Sequence, residues 1–326
     1  MTGYKRLTAV ECARALLAIE NPTVLLHTRP DGDTVGAAAA LIESFKAMGK
    51  DASYATADEI PERLAFLVEG KRKEESTDGR TLIAIDVASP KQLGKNEDKA
   101  GLVSLMLDHH AVGEPFADNY ILPEASSAGE VLFTVIEELI GMNAVTLTKE
   151  IAYPLYASIS SDTGGFIYSS ASPDTYRRAA ALMETGIDYS DINHRLFNSK
   201  SKEQIRAEGF VASALRTAAD GKIAYATLTR KDREALGLSA AHFETAIDVV
   251  RSLLGARIAI FVRENDDGSI RASMRSTGPN VARVAAALNG GGHVRAAGCS
   301  PEAKSAEDAI AVILEKIEQL KILEEE

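Results

Sequence analysis

Thr23-Val24-Leu25-Leu26-His27 runs into Thr28-Arg29-Pro30-Asp31-Gly32-Asp33-Thr34 and then into Val35-Gly36-Ala37-Ala38-Ala39-Ala40. The first run is short, apolar and rich in strand formers; the last is an alanine-rich helix former. Between them, Pro30 stiffens the chain and Gly32 permits a sharp turn between two carboxylates. Strand, loop and helix in this order predict a βα unit. In such units the loop lies at the carboxyl end of the strand, where open α/β sheets bind their ligands.

Working outward, residues 52–56, 81–85 and 102–107 read as further strands. Residues 35–48, 129–139 and 147–160 have helical spacing, with Pro154 expected to kink the last. The alternation predicts an α/β fold whose N-terminal domain, residues 1–186, is a mostly parallel sheet with helices on both faces. Residues 187–218 read as a linker region, polar at first and then a charged helix over 201–217. A second, smaller α/β domain is expected over 219–326. Its strands fall at 222–228, 257–263, 269–274 and 295–299, and its helices at 241–254, 280–288 and 305–320. Asn265-Asp266-Asp267-Gly268 is the turn before the third of those strands. Glu324-Glu325-Glu326 reads as a solvated tail.

Acids and imidazoles recur where ligands would bind. Asp86 follows the apolar run Leu82-Ile83-Ala84-Ile85, Asp108-His109-His110 ends another strand, and Ser161-Asp162-Thr163-Gly164 closes a helix. Taken alone, an Asp-Gly-Asp is more often a helix cap than a metal site, and His27 a plain strand-end histidine. Taken together in one domain, Asp31, Asp33, Asp86 and Asp162 would repel one another unless cations neutralised them. Two divalent ions balance four carboxylates. Oxygen ligands mixed with imidazole suggest Mn²⁺, with Mg²⁺, Co²⁺ or Zn²⁺ as alternatives. Such an ion pair suits in-line displacement at phosphorus.

The bulk properties narrow the field. The 326 residues are 45% hydrophobic and 25% charged, as in ordinary globular proteins. Neither a membrane span nor a signal peptide is visible, so a cytoplasmic location is expected. Cys12 and Cys299 lie outside any paired motif and read as ordinary thiols. A net charge of -11 argues against gripping long duplex nucleic acid. Yet arginines 251, 257, 263, 271, 275, 283 and 295 face only Glu264, Asp266 and Asp267 in their segment. An acidic body with a basic corner suits a small anionic substrate.

This constellation resembles the DHH phosphoesterase superfamily. His27-x-x-Pro30-Asp31-x-Asp33-x-x-Gly36 looks like its first motif, Asp86 its second, Asp108-His109-His110 its third and Asp162 its fourth. The resemblance implies that His27, Asp31 and Asp86 hold one metal ion. Asp33, Asp86, His109 and Asp162 hold the other, with Asp86 bridging. His110 faces substrate and Asp108 orients the histidines, making these two the expected catalytic residues. Ala37 and Gly113 depart from the commoner serine and asparagine of the family. The second half resembles the DHH-associated domain of oligoribonuclease-like members, through Met274-Arg275-Ser276-Thr277-Gly278 and Asn289-Gly290-Gly291-Gly292-His293-x-x-Ala296-Ala297-Gly298. Arg275, Ser276, Gly291, Gly292 and His293 are the expected substrate-binding residues. Exposed glycine backbone N–H groups and an arginine fork both suit phosphate.

The activity implied is hydrolysis of short oligonucleotides and linear dinucleotides to mononucleotides, with a phosphatase activity on 3′-phosphoadenosine 5′-phosphate. The alternatives are a cyclic di-AMP or linear di-AMP phosphodiesterase and, from another class, a catalytically silent nucleotide-binding regulator. The oligomeric state is left open, a homodimer among the arrangements allowed.

Overall fold

A computed structural model describes residues 3–324, and Glu325 and Glu326 of the expected tail lie outside them. The chain forms two compact units, Met1–Ser199 and Lys200–Glu326. The division falls inside the expected linker region.

In the first unit, strands β1 (Pro22–Leu25), β2 (Ser53–Ala55), β3 (Thr81–Ile85), β4 (Val103–Asp108) and β5 (Asp118–Ile121) form one sheet. Its order is β2-β1-β3-β4-β5, and every pair is parallel. Side chains alternate with the period of two that strands impose. Val24, Ile83, Ile85, Leu105 and Leu107 enter one core. Leu25, Leu82, Ala84 and Met106 enter another on the opposite face. Helices α1 (Ala9–Ala18), α2 (Gly32–Ala47), α3 (Ala128–Gly141), α4 (Lys149–Asp162) and α5 (Pro173–Glu184) supply the first core. Leu93 and Ala100, from 3₁₀ turns spanning Pro90–Leu102, cover the second. A short α6 (Tyr189–Asn193) completes the unit.

This strand order reverses direction between β1 and β3, which puts the ligand crevice beyond their carboxyl ends. Two glycines let the helices above it close in. A Cβ on Gly36 would lie 2.6 Å from the Pro154 carbonyl oxygen and 2.8 Å from the Ser158 nitrogen, so only glycine lets α2 cross α4 there. A Cβ on Gly129, in the first turn of α3, would collide with Ser158.

The second unit begins with α7 (Lys202–Ser213) and carries a mixed sheet, ordered β10-β11-β9-β8-β7-β6. Its strands are β6 (Arg216–Ala218), β7 (Ile223–Leu228), β8 (Ile258–Glu264), β9 (Ile270–Ser276), β10 (Gly291–His293) and β11 (Ala296–Cys299). Helices α8 (Arg230–Leu236), α9 (Ala246–Arg251), α10 (Val281–Ala286) and α11 (Ala306–Gln319) connect and flank them. The helix expected over 201–217 stops early. Asp220 and Gly221 both take positive φ, closing a hairpin that draws Arg216–Ala218 into the sheet. The helix expected over 241–254 is broken into a 3₁₀ turn, Ala240–Phe243, and α9. Both cysteines are buried, and burial pushes the Cys12 thiol up to about 12 and Cys299 to about 11. Neither is poised to react. Among the described residues no helix is long and apolar enough to cross a membrane.

Candidate metal centre

The crevice gathers every acid and imidazole that the first unit was expected to contribute, from β1, α2, β3, β4 and α4 and the residues beside their ends. His27 follows β1. Its Nδ1 is 2.8 Å from the Thr28 carbonyl oxygen, to which it donates, so Nε2 is the nitrogen turned to the carboxylates. That Nε2 lies 3.6 Å from Asp31 Oδ1 and 3.4 Å from Asp86 Oδ2. Asp31 also caps α2, accepting from the backbone nitrogens of Asp33 at 3.0 Å and Thr34 at 3.2 Å. The cap and the site therefore use the same carboxylate.

Asp33 sits in the first turn of α2 and is 1% exposed. It accepts from the nitrogens of Ala128 at 2.8 Å and Gly129 at 3.2 Å, the amino end of α3, and from the Ser158 hydroxyl. Burial first, then Asp86, Asp162 and Asp31, drive its pKa well above the carboxylate range. Asp162 closes α4, so it arrives from a helix end. Partial burial, together with Asp31 and Asp86 and against the pull of His109, raises it to about 7. Such shifts are what like charges confined in one crevice produce without a cation.

Asp86 leaves β3 in the left-handed region, at φ 59, a conformation tolerated by aspartate but costly for most side chains. The turn aims its two oxygens at different partners. Oδ2 faces His27, while Oδ1 lies 3.6 Å from His109 Nε2, which is also 3.6 Å from Asp33 Oδ2 and from Asp162 Oδ2. His109 Nδ1 is 3.3 Å from the Ala125 carbonyl oxygen, so its Nε2 is again the nitrogen presented inward.

These spacings are longer than ordinary hydrogen bonds and close to, or slightly wider than, those of ligands around an ion. Donors about 2.1 Å from one ion stand roughly 3.0–3.4 Å apart in octahedral or tetrahedral arrangements. His27, Asp31 and Asp86 form one group capable of holding a metal, and Asp33, His109 and Asp162 another; Asp86 reaches both through different oxygens. A third grouping shares Asp86 and His109 with these two and adds His110.

Asp108 and His110 stand beside the cluster. Asp108 is 1% exposed; its Oδ1 accepts from the His109 nitrogen at 2.9 Å and lies 2.7 Å from His110 Nδ1. Burial works against the His110 charge, but Asp108 outweighs it and lifts the pKa to about 9.

Sequence reading missed the supports. Glu130, buried at 2%, accepts through Oε2 from the Ser126 nitrogen at 2.8 Å, the Ser126 hydroxyl at 2.5 Å and the Thr175 hydroxyl at 3.0 Å, and through Oε1 from Arg178. It thereby fixes the 125–129 turn, which supplies the Ala125 carbonyl to His109 and two N–H groups to Asp33. The available signal was Ser127-x-x-Glu130, a helix-start pattern.

In the second unit, Arg275, Ala296 and His293 are cross-strand partners on β9, β11 and β10, which places them on one face. Gly291 pairs with Gly298 on that face, and a Cβ there would meet nothing within 4 Å. Gly292 and Ser276 fall on the other face. Gly292, at φ 135, would put a Cβ 2.5 Å from the Ala296 carbonyl oxygen, and Ser276 gives its hydroxyl to the Pro279 carbonyl at 2.5 Å. Packing alone thus accounts for Gly292, while Gly291 leaves backbone open beside His293.

A parallel sheet with paired carboxylate–imidazole clusters at its switch point defines a metal-dependent phosphoesterase. The chain belongs to the DHH family: residues 22–159 match the DHH family, N-terminal domain, and residues 220–320 match the DHHA1 domain. Among curated relatives, the "Bifunctional oligoribonuclease and PAP phosphatase NrnA" of Thermus thermophilus is 29% identical over 94% of this chain and 92% of its own. The protein of the same name from Bacillus subtilis is 26% identical over 90% and 94%. A crystal structure of an exopolyphosphatase-related protein from Bacteroides fragilis superposes with a TM-score of 0.83, at 24% identity and 97% coverage of both chains. That likeness is one of fold.

Proposed function

We propose that this chain is a two-metal phosphodiesterase that hydrolyses short oligonucleotides and linear dinucleotides to mononucleotides and also dephosphorylates 3′-phosphoadenosine 5′-phosphate. The observation that carries the reading is Asp86, whose two oxygens face two separate donor groups. His27, Asp31 and Asp86 would hold one ion, and Asp33, Asp86, His109 and Asp162 the other. Manganese suits this mixture of carboxylate and imidazole, and Mg²⁺, Co²⁺ or Zn²⁺ can occupy the same donors. When bound, two such ions supply Lewis acidity and neutralise charge at the phosphoryl group. Asp108 holds His110 by Nδ1, so any proton that His110 exchanges with substrate passes through Nε2. Arg275, His293 and the open backbone at Gly291 would hold a terminal phosphate, the arginine as a fork. Relatives named oligoribonuclease and PAP phosphatase, aligned over nearly their whole length, support the substrate class. A cytoplasmic location fits this chemistry.

Substrate length is the test. With Mn²⁺, kcat/KM should peak at two to about five nucleotides and fall steeply for a strand of about two dozen, whose many phosphates a chain of net charge -11 is poorly suited to grip. Efficient digestion of the long strand would defeat the reading. A clear preference for cyclic over linear di-AMP would replace it with the signalling-nucleotide activity, because a ring has no terminal phosphate.

A further inference from the structure

Bordering the metal centre at His110, at the carboxyl ends of β3, β4 and β5, lies a cavity of about 220 Å³. Its lining includes Asp108 and His110, the small or flat residues Ala88, Gly113, Pro115 and Pro123, and Arg6. Whole-ligand pockets typically run from about 300 to 1,000 Å³, so this one takes a single moiety.

Arg6 is built into place. The segment around it lies parallel along the free edge of β5, with Leu7 N donating to the Asn119 carbonyl at 2.7 Å and Asn119 N to the Lys5 carbonyl at 2.8 Å. Lys5 N is further tied to Asp118 Oδ1 at 2.9 Å. The guanidinium, at the crevice end of that edge, gives Nη2 to the Ile121 carbonyl at 3.1 Å. An arginine carries five N–H donors and no acceptor, so the fork retains donor capacity for a ligand. Gly113 adds no side chain to the lining. A Cβ there would lie 2.6 Å from the Ala88 carbonyl oxygen, so no side chain fills the space.

A small cavity whose lining combines prolines and small residues with a cationic donor suits a ring with acceptor atoms on its edge. We infer that this cavity is a nucleobase subsite: it receives the base of a nucleotide flanking the scissile phosphate, and Arg6 donates to carbonyl or ring-nitrogen acceptors on that base. The inference rests on the phosphodiesterase reading and deepens it. Arg6 binds the base and takes no part in bond breaking, so its contribution belongs in KM.

The experiment is a cycle of two changes. Wild-type and Arg6→Ala proteins are assayed with Mn²⁺ on a 5′-phosphorylated dinucleotide and on the same compound with each base removed in turn. One lost hydrogen bond from a charged group makes KM for the intact dinucleotide rise about tenfold or more in the variant, with kcat little changed. For the analogue lacking the base that fills this cavity, the wild type already shows the raised KM and the substitution adds little, so the two losses are not additive. Arg6→Lys keeps the charge and stem but loses the fork, and should fall between the two. Equal penalties on intact and abasic substrates, or an unchanged KM for the intact one, overturn the subsite. If the wild type fails to cleave any dinucleotide with any divalent ion, it is the phosphodiesterase reading that falls instead. Because the decisive change is made in the substrate, a fold perturbed by the substitution cannot imitate the result.

Discussion

Glu130 offers the sharpest test of how the fold builds the crevice, because it touches no expected metal ligand yet fixes two of them. Glu130→Ala removes four hydrogen-bond acceptances at once: the Ser126 nitrogen and hydroxyl, the Thr175 hydroxyl and the Arg178 guanidinium. The ion pair is buried on the Glu130 side, with Arg178 at 25% side-chain exposure. Breaking a buried pair by deleting one partner typically costs about 3–5 kcal/mol, much of it the stranded charge. Since Arg178 can reach water, the lower half of that range is expected. The effect on the site follows from the 125–129 turn. Once it loosens, the Ala125 carbonyl stops orienting His109 Nδ1, and the Ala128 and Gly129 nitrogens stop anchoring Asp33. Losing outer partners of metal ligands typically weakens metal affinity or activity by about 10- to 100-fold. Urea denaturation of metal-free protein measures the first quantity and calorimetric titration with Mn²⁺ the second. Glu130→Gln keeps the volume but not the charge and should show both effects in milder form. If the alanine variant is destabilised as expected while its Mn²⁺ affinity stays within about twofold of wild type, the coupling argued here is wrong and Glu130 is only a strut.

Three further outcomes are expected. Asp86→Asn should abolish turnover and shrink the rise in melting temperature that Mn²⁺ confers, which for wild type corresponds to about 2.7 kcal/mol at a hundredfold excess over Kd; EDTA-stripped wild type that hydrolyses as fast as the manganese form would sink the two-metal reading. Arg275→Ala should lower kcat/KM on 5′-phosphorylated dinucleotide by about ten- to a hundredfold, the worth of a charged contact, with a distinctly smaller loss on an ester that lacks a second phosphate; equal losses on both move Arg275 out of the recognition role. Gly36→Ala forces α2 away from Pro154 and Ser158 and should cost about 1–3 kcal/mol in urea denaturation, and because Ser158 bonds Asp33, Mn²⁺ affinity should fall with it. A neutral Gly36→Ala would show that the helices have slack that the structure does not display.

The sequence alone determined the first sheet and its chemistry to a large degree. Strand runs ending in His27, Asp86 and Asp108 put the ligands at the carboxyl edge because a parallel sheet leaves its loops there, and the period of two set which residues are buried. Local patterns of that kind are legible because they depend on neighbours a few residues apart. Even there, short elements escaped. Asp118–Ile121 is too brief and polar to announce a strand, and pairs only because β4 and the segment around Arg6 flank it. The Asp220-Gly221 turn carried a hairpin signal that the charged helical run before it obscured. What only tertiary structure decided is which distant groups meet. That Asp86 turns through a left-handed conformation to aim its oxygens apart depends on β3 being held between β1 and β4. That Glu130 reaches Arg178 and Ser158 reaches Asp33, across separations of 48 and 125 residues, depends on α2, α3, α4 and α5 sharing one core. No spacing along the chain encodes these contacts. They arise because glycines at 36 and 129 let helices approach within a backbone's width, and close packing then brings buried polar groups such as Asp33 and Ser158 within hydrogen-bond reach.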